Sequence, residues 1–155
     1  MGNIFYYDSP IGGLGIGEEN KCLTHIVFGN EQINDYIIKE TEFIKAVHLQ
    51  LEEYFNGKRH EFDIPLKFIY GTPFQQEVWQ ALMKIPYGET KSYKDIAQMI
   101  NHPKAVRAVG GANNRNNIPI IIPCHRVIGA NGSLVGYGGG LDKKIFLLDL
   151  EKNNR

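Results

Sequence analysis

An α+β chain of two modules is the fold class this sequence predicts, on three observations. Residues 1–70 alternate short apolar runs with turn residues and hold one helix-length stripe. Residues 71–155 instead carry two capping-box starts and two short helices around a tight break. The charge divides at the same place: residues 1–70 hold 6 Lys/Arg against 11 Asp/Glu, whereas residues 71–155 hold 11 against 6. The chain is formally neutral overall, and the balance hides an acidic first half and a basic second half suited to a polyanion.

In the first half, Ile4 to Tyr7 reads as a strand stopped by Asp8-Ser9-Pro10. Leu14–Gly17 and Leu23–Phe28 read as a hairpin around Glu18-Glu19-Asn20. Thr41 caps a helix to about Phe55, because Phe43, Val47, Leu51 and Tyr54 fall on one face and Gly57 stops it. Phe62, Ile64, Leu66 and Phe68 alternate with Asp63, Pro65 and Lys67 as a half-buried strand, which Pro65 places at an edge.

Gly71-Thr72-Pro73 is the joint. Thr72 with Gln75 forms a capping box and Pro73 suits the first helical turn. Phe74, Val78, Trp79 and Leu82 then make an apolar stripe that ends before Pro86-Tyr87-Gly88. Ser92 and Asp95 open a second helix, Asn101-His102 break it, and Pro103 opens a third running to about Ala112, a helix-turn-helix pattern. From Ala105 to Ala112 that third helix combines small side chains with one long cation, Arg107. It either packs tightly on a core or lets another surface come close.

Ile120 to Ile122 reads as a buried strand ended by Pro123, placing Cys124 at its tip with His125 and Arg126 alongside. A lone thiol is often simply buried. An imidazole and a guanidinium next to it favour ionisation, which points instead to a nucleophile. Gly129-Ala130-Asn131-Gly132 reads as a hairpin turn, Gly136 to Gly140 as a side-chain-poor loop, and the last helix runs from Leu141 to Glu151 with Ile145 and Leu148 inward. Cys22 and His25 with His48 or His60 lack the second close pair that a zinc site needs. Two distant cysteines and no signal-peptide or membrane-span pattern fit a reducing cytoplasm.

Thr72-Pro73-Phe74, Arg107-Ala-Val-Gly-Gly-Ala112, Pro123-Cys-His-Arg-Val127 and Glu151, in that order, resemble the O6-alkylguanine-DNA alkyltransferases. Tyr6-Tyr7-Asp8-Ser9-Pro10-Ile11-Gly12 and Phe62-Asp63-Ile64-Pro65-Leu66 match more loosely. The resemblance implies a ribonuclease-H-like support module, 1–70, and a DNA-binding module, 71–155. Cys124 would take the alkyl group from guanine O6, or thymine O4, irreversibly, so that each molecule acts once. His125 would be the base through a bridging water and Glu151 its orienter. Side-chain alternation on an extended chain argues against a direct Cys124–His125 contact.

Asn116 would be the hinge between recognition helix and active site, and Tyr93 would polarise the leaving base. Arg107 would fill the space of a flipped nucleotide, with Ala105, Ala108, Gly110 and Ser92 against the minor groove. Tyr137 and Gly138 would close over the base, and backbone near Val127 would read its edge. Some relatives have a hydroxyl at the position of Gly138, so a roomier pocket is expected here. Arg126 then reads as structural. The implied partner is double-stranded DNA bound by a monomer, with no cofactor, metal or membrane.

Overall fold

The computed structural model describes residues 1–134 and 136–155. The chain divides into two compact units, Met1–Ile69 and Tyr70–Arg155. Among the described residues no helix is long and apolar enough to cross a membrane.

The first unit is a four-stranded sheet with one helix. Strands β1 (Gly2–Tyr7), β2 (Leu14–Glu19), β3 (Cys22–Phe28) and β4 (Tyr36–Ile38) lie in the order β3-β2-β1-β4. The β2–β3 hairpin turns at Asn20 and Lys21, with φ of 51° and 62°, the left-handed pair that a two-residue hairpin needs. Strand β4, absent from the sequence expectation, pairs parallel with β1. Helix α1 (Glu42–Phe55) is capped by Thr41, whose hydroxyl accepts from Ile44 N, and buries Ile44, Val47, Leu51 and Tyr54.

The strand expected over Phe62–Phe68 is not one. Its side chains do alternate between half-buried and exposed, but pairing shrinks to one parallel bridge, Leu23 with Leu66. Pro65 contributes its carbonyl to Leu23 N, and Lys67 N returns to Leu23 O. A proline without an N–H leaves room for little more.

The second unit is mainly helical. Helix α2 (Pro73–Leu82) opens with the complete Thr72/Gln75 capping box, and α3 (Tyr93–Met99) with the Ser92/Asp95 one. Trp79 is 3% exposed and donates its Nε1–H to Ala112 O at 2.8 Å, locking α2 to the end of α4 (Val106–Asn114). Gly71 has a φ of 104°, and a Cβ there would sit 2.5 Å from the Trp79 ring, so only glycine fits. Strands β5 (Lys91–Ser92) and β6 (Val127–Ile128) pair in parallel. The turn at Gly129–Gly132 is present, with Gly129 N bonded to Ser133 O, but β6 takes its partner, β5, from the segment just before α3.

Helix α4 begins at Val106, later than Pro103 suggests, with Ala105 as an N-cap that supplies no side-chain bond. Helix α5 (Leu141–Asn153) buries Lys144, Leu147 and Glu151, while Ile145 is 43% exposed. The inward stripe of α5 is therefore partly ionic, which is why an apolar template places Ile145 wrongly.

Candidate active site

No strand leads to the thiol. From Ile118 to Arg126 the backbone folds into consecutive tight turns. Ile122 N bonds Ile118 O, and Ile121 N bonds Pro119 O at 2.9 Å across Ile120, whose φ is 74°. This is the γ-turn of the rarer hand, sterically costly for a β-branched residue. Pro123, at φ −80° and ψ 64°, makes a second three-residue turn of the common hand, closed by Cys124 N to Ile122 O at 2.8 Å.

Cys124, His125 and Arg126 then form one 3-10 turn. The expected Ile120–Ile122 strand fails because prolines at 119 and 123 remove donors on both sides, and the turns satisfy the remaining groups locally. The alternation argument for His125 fails with it.

Two asparagines hold this turn. Asn116 accepts from Ile118 N at 2.9 Å and donates to Ile122 O at 2.8 Å. Its side chain also helps to stabilise the Cys124 thiolate. Asn113, on the last turn of α4 and 2% exposed, donates to Cys124 O at 3.4 Å. The end of α4 and the thiol are thus mechanically tied, and Asn113 is a contributor that sequence reading missed.

Cys124 is 5% exposed. Burial pushes its thiol up to about 11, against the opposing pull of Asn116, the Lys144 charge and the N–H groups of Cys124 and His125. At neutral pH it is a thiol, and it needs a base to react.

His125 is fully buried, with Nε2 2.6 Å from Glu151 Oε2. Burial holds its pKa below the usual imidazole value. A carboxylate only accepts, so the proton of the neutral ring sits on Nε2 and Nδ1 carries the lone pair. That Nδ1 is buried without a hydrogen-bond partner.

Glu151 is the hub. Arg126 grips it with Nε at 2.8 Å and Nη2 at 3.0 Å, and Gly88 N adds a bond at 3.1 Å. Burial pushes the carboxyl upward, but the bond and charge of His125, and after them the bond and charge of Arg126, outweigh it and hold it well below the ordinary carboxylate range.

Lys144 is fully buried seven residues before Glu151, and its ammonium donates to Val127 O at 2.6 Å and Gly136 O at 3.4 Å. The two sit on one helix face, two turns apart, and that spacing is the signal that could have found Lys144. The Val127 N–H goes to Cys124 O, and its carbonyl accepts from Lys144.

Tyr93 is half-buried at the first turn of α3, close enough to Cys124 that burial and then the thiolate charge raise its pKa. Tyr137 responds to Cys124 and Glu151 in the same way, with burial again the larger cause. Gly138 is exposed, and a Cβ there would meet only Asn114 O, at 4.0 Å. The structure therefore gathers Asn116, Tyr93 and Tyr137 around the thiol, with His125, paired to Glu151, in the same turn of the chain.

Arg107 and Ala108 are exposed on α4, Ala105 and Gly110 partly so, and Ser92 lies half-buried before α3. Gly110 and Gly111 weaken the helix by about 1 kcal/mol each relative to alanine. Packing does not require either: a Cβ at 110 would lie an ordinary 3.9 Å from the Tyr93 ring, and at 111 it would meet nothing within 4 Å. The missing methyl groups make sense against a surface outside the free protein.

A buried thiol next in the chain to a carboxylate-held imidazole, with a helix-turn-helix in the same unit, is the layout of a thiol-bearing protein on a nucleic-acid-binding scaffold. Profiles of the 6-O-methylguanine DNA methyltransferases match residues 5–68, as the ribonuclease-like domain, and 73–153, as the DNA-binding domain. The methylated-DNA–protein-cysteine methyltransferase of Methanosarcina barkeri is 52% identical over 96% of this chain and 98% of that protein. The constitutive one of Bacillus subtilis is 48% identical over 94% and 92%. A crystal structure of Mycobacterium tuberculosis OGT in complex with DNA superposes with a TM-score of 0.92 at 46% identity, covering 98% of this chain and 94% of that one. The chain belongs to the 6-O-methylguanine DNA methyltransferase family.

Proposed function

We propose that this protein repairs alkylated DNA by moving the alkyl group from guanine O6 to its own Cys124. The observation that carries this reading is the buried thiol beside a neutral imidazole with one nitrogen unclaimed. His125 Nδ1 takes the thiol proton through a water as Sγ attacks the alkyl carbon. The S–C bond forms, the C–O6 bond breaks, and Tyr93 protonates the departing base. His125 then releases the thiol's proton to solvent and Tyr93 takes one back, so one proton passes net from thiol to guanine. The products are S-alkylcysteine and unmodified guanine. A thioether is a poor leaving group, so each molecule reacts once. Asn116 and Asn113 hold the turn in place, and Lys144 stabilises the developing thiolate.

Double-stranded DNA is the partner. The small-residue face of α4 enters the minor groove, where bulk is costly and readout is largely independent of sequence. Arg107 occupies the space that the flipped nucleotide leaves. Ala105, Ala108, Gly110 and Ser92 line the same approach, and one molecule acts per lesion. Residues 1–70 serve as the support module.

Intact-mass measurement after mixing with an O6-methylguanine duplex tests this reading. One methyl group gained per molecule, on the peptide holding Cys124, is the expected result; tight lesion binding with no mass gain overturns it.

The open space at Gly138 fits a pocket that accepts larger alkyl groups. Gly138→Ser is expected to fold normally and to lower the rate on benzyl relative to methyl adducts. Equal rate ratios in the two proteins would sink the idea.

A further inference from the structure

Arg126 does more than brace the fold. It is 6% exposed, it bonds both oxygens of Glu151, and its Nη1 donates to Ile85 O at 2.7 Å just beyond α2. Its guanidinium also lies 5.7 Å over the centroid of the Tyr87 ring. A buried carboxylate paired with imidazole alone draws a proton onto the ring, and a protonated ring cannot act as a base. Here the same carboxylate already faces a fixed positive charge through two bonds.

We propose that Arg126 is a positioning residue for alkyl transfer, sharing Glu151 with His125 so that the carboxylate stays ionised while the imidazole stays neutral. The inference rests on the reading of Cys124 as acceptor and His125 as its base. It assigns Arg126 a part in proton transfer although it need not touch the substrate.

The other groups facing the pair fit this arrangement. From α5 come Glu151 and Lys144; from the 3-10 turn, Cys124; from the loop after α2, Tyr87; and from the loop before α5, Tyr137. Burial keeps both tyrosines and the thiol uncharged at neutral pH. Lys144 directs its ammonium to the carbonyls of Val127 and Gly136, while Arg126 forks onto both oxygens of Glu151. Both cations oppose protonation of His125, whereas Glu151 promotes it.

The test is the single-turnover rate of transfer from an O6-methylguanine duplex against pH, with ¹⁵N NMR of the His125 ring, in wild type, Arg126→Gln and Arg126→Lys. Losing the positive charge raises the imidazole pKa, so the acid limb of the Arg126→Gln profile is expected to move up by about 1–3 pH units. Its rate recovers at high pH, and the ring titrates over the same shifted range. Arg126→Lys keeps the charge without the fork, so its limb stays near wild type with a lower plateau. A rate lowered by one factor at every pH, with His125 titrating as in wild type, overturns the proposal. Should Arg126→Gln not fold, the wild-type spectrum decides: the Nε2–H tautomer at pH 7 supports the proposal, and an imidazolium there ends it. A wild type that transfers nothing refutes the functional reading, while the NMR titration still judges Arg126 separately.

Discussion

Glu151→Gln is expected to slow alkyl transfer by about 10²–10⁴-fold, the range associated with a positioned general base. The same change should lower the free energy of unfolding by about 3–5 kcal/mol, because it leaves the buried Arg126 guanidinium facing a neutral amide. Both effects follow from one carboxylate that His125 Nε2, two nitrogens of Arg126 and Gly88 N all bond. Urea unfolding and single-turnover kinetics measure them separately. A stability loss below about 1 kcal/mol together with an unchanged rate would remove Glu151 from the centre of the site.

The sign with pH is equally defined. The folded carboxyl lies well below its ordinary value, so its stabilisation is present above about pH 4.3, the unfolded value, and is lost as the pH falls toward the folded one. The glutamine variant should lack that acid-dependent part.

Arg107→Ala is expected to leave the fold within about 0.5 kcal/mol of wild type, since the side chain is exposed on α4. Repair of duplex DNA should nevertheless fall by about 100-fold. Extruding a paired nucleotide costs a few kcal/mol, and the side chain filling the vacated stack offsets part of that. Transfer from free O6-benzylguanine needs no extrusion and should change by less than about twofold. Assaying duplex and free base side by side gives the ratio. Equal losses on both would place Arg107 in the chemistry, and no loss on either would take α4 off the DNA.

The elements that could be read from the sequence are those whose information is local. Thr72 with Gln75 and Ser92 with Asp95 are complete capping boxes within four residues, and both helices begin where they indicate. The β2–β3 hairpin and Thr41 follow the same rule. Elements that depend on distant partners were misread. Ile120–Ile122 has strand composition, yet two flanking prolines and the bonds of Asn116 fold it into turns. Phe62–Phe68 has strand alternation and one bridge to pair with.

At the site, His125 and Glu151 were recognisable from motif and order. Lys144 is hidden because a buried ammonium breaks the apolar template used to find the inner face of α5; Arg126 is legible as structural, while its fork onto Glu151 is not, because no motif marks that pair.

Gly110 and Gly111 carry a consequence for how this chain evolves. A single-base change turns any glycine codon into an alanine codon, and the free protein has room for either new methyl group. Selection for heat resistance alone would therefore reward the mutations that thicken the face of α4. If α4 docks on DNA as proposed, the softness of that helix is kept only while damaged DNA is part of the selective test, and a lineage grown hot without alkylating stress is where it should disappear first.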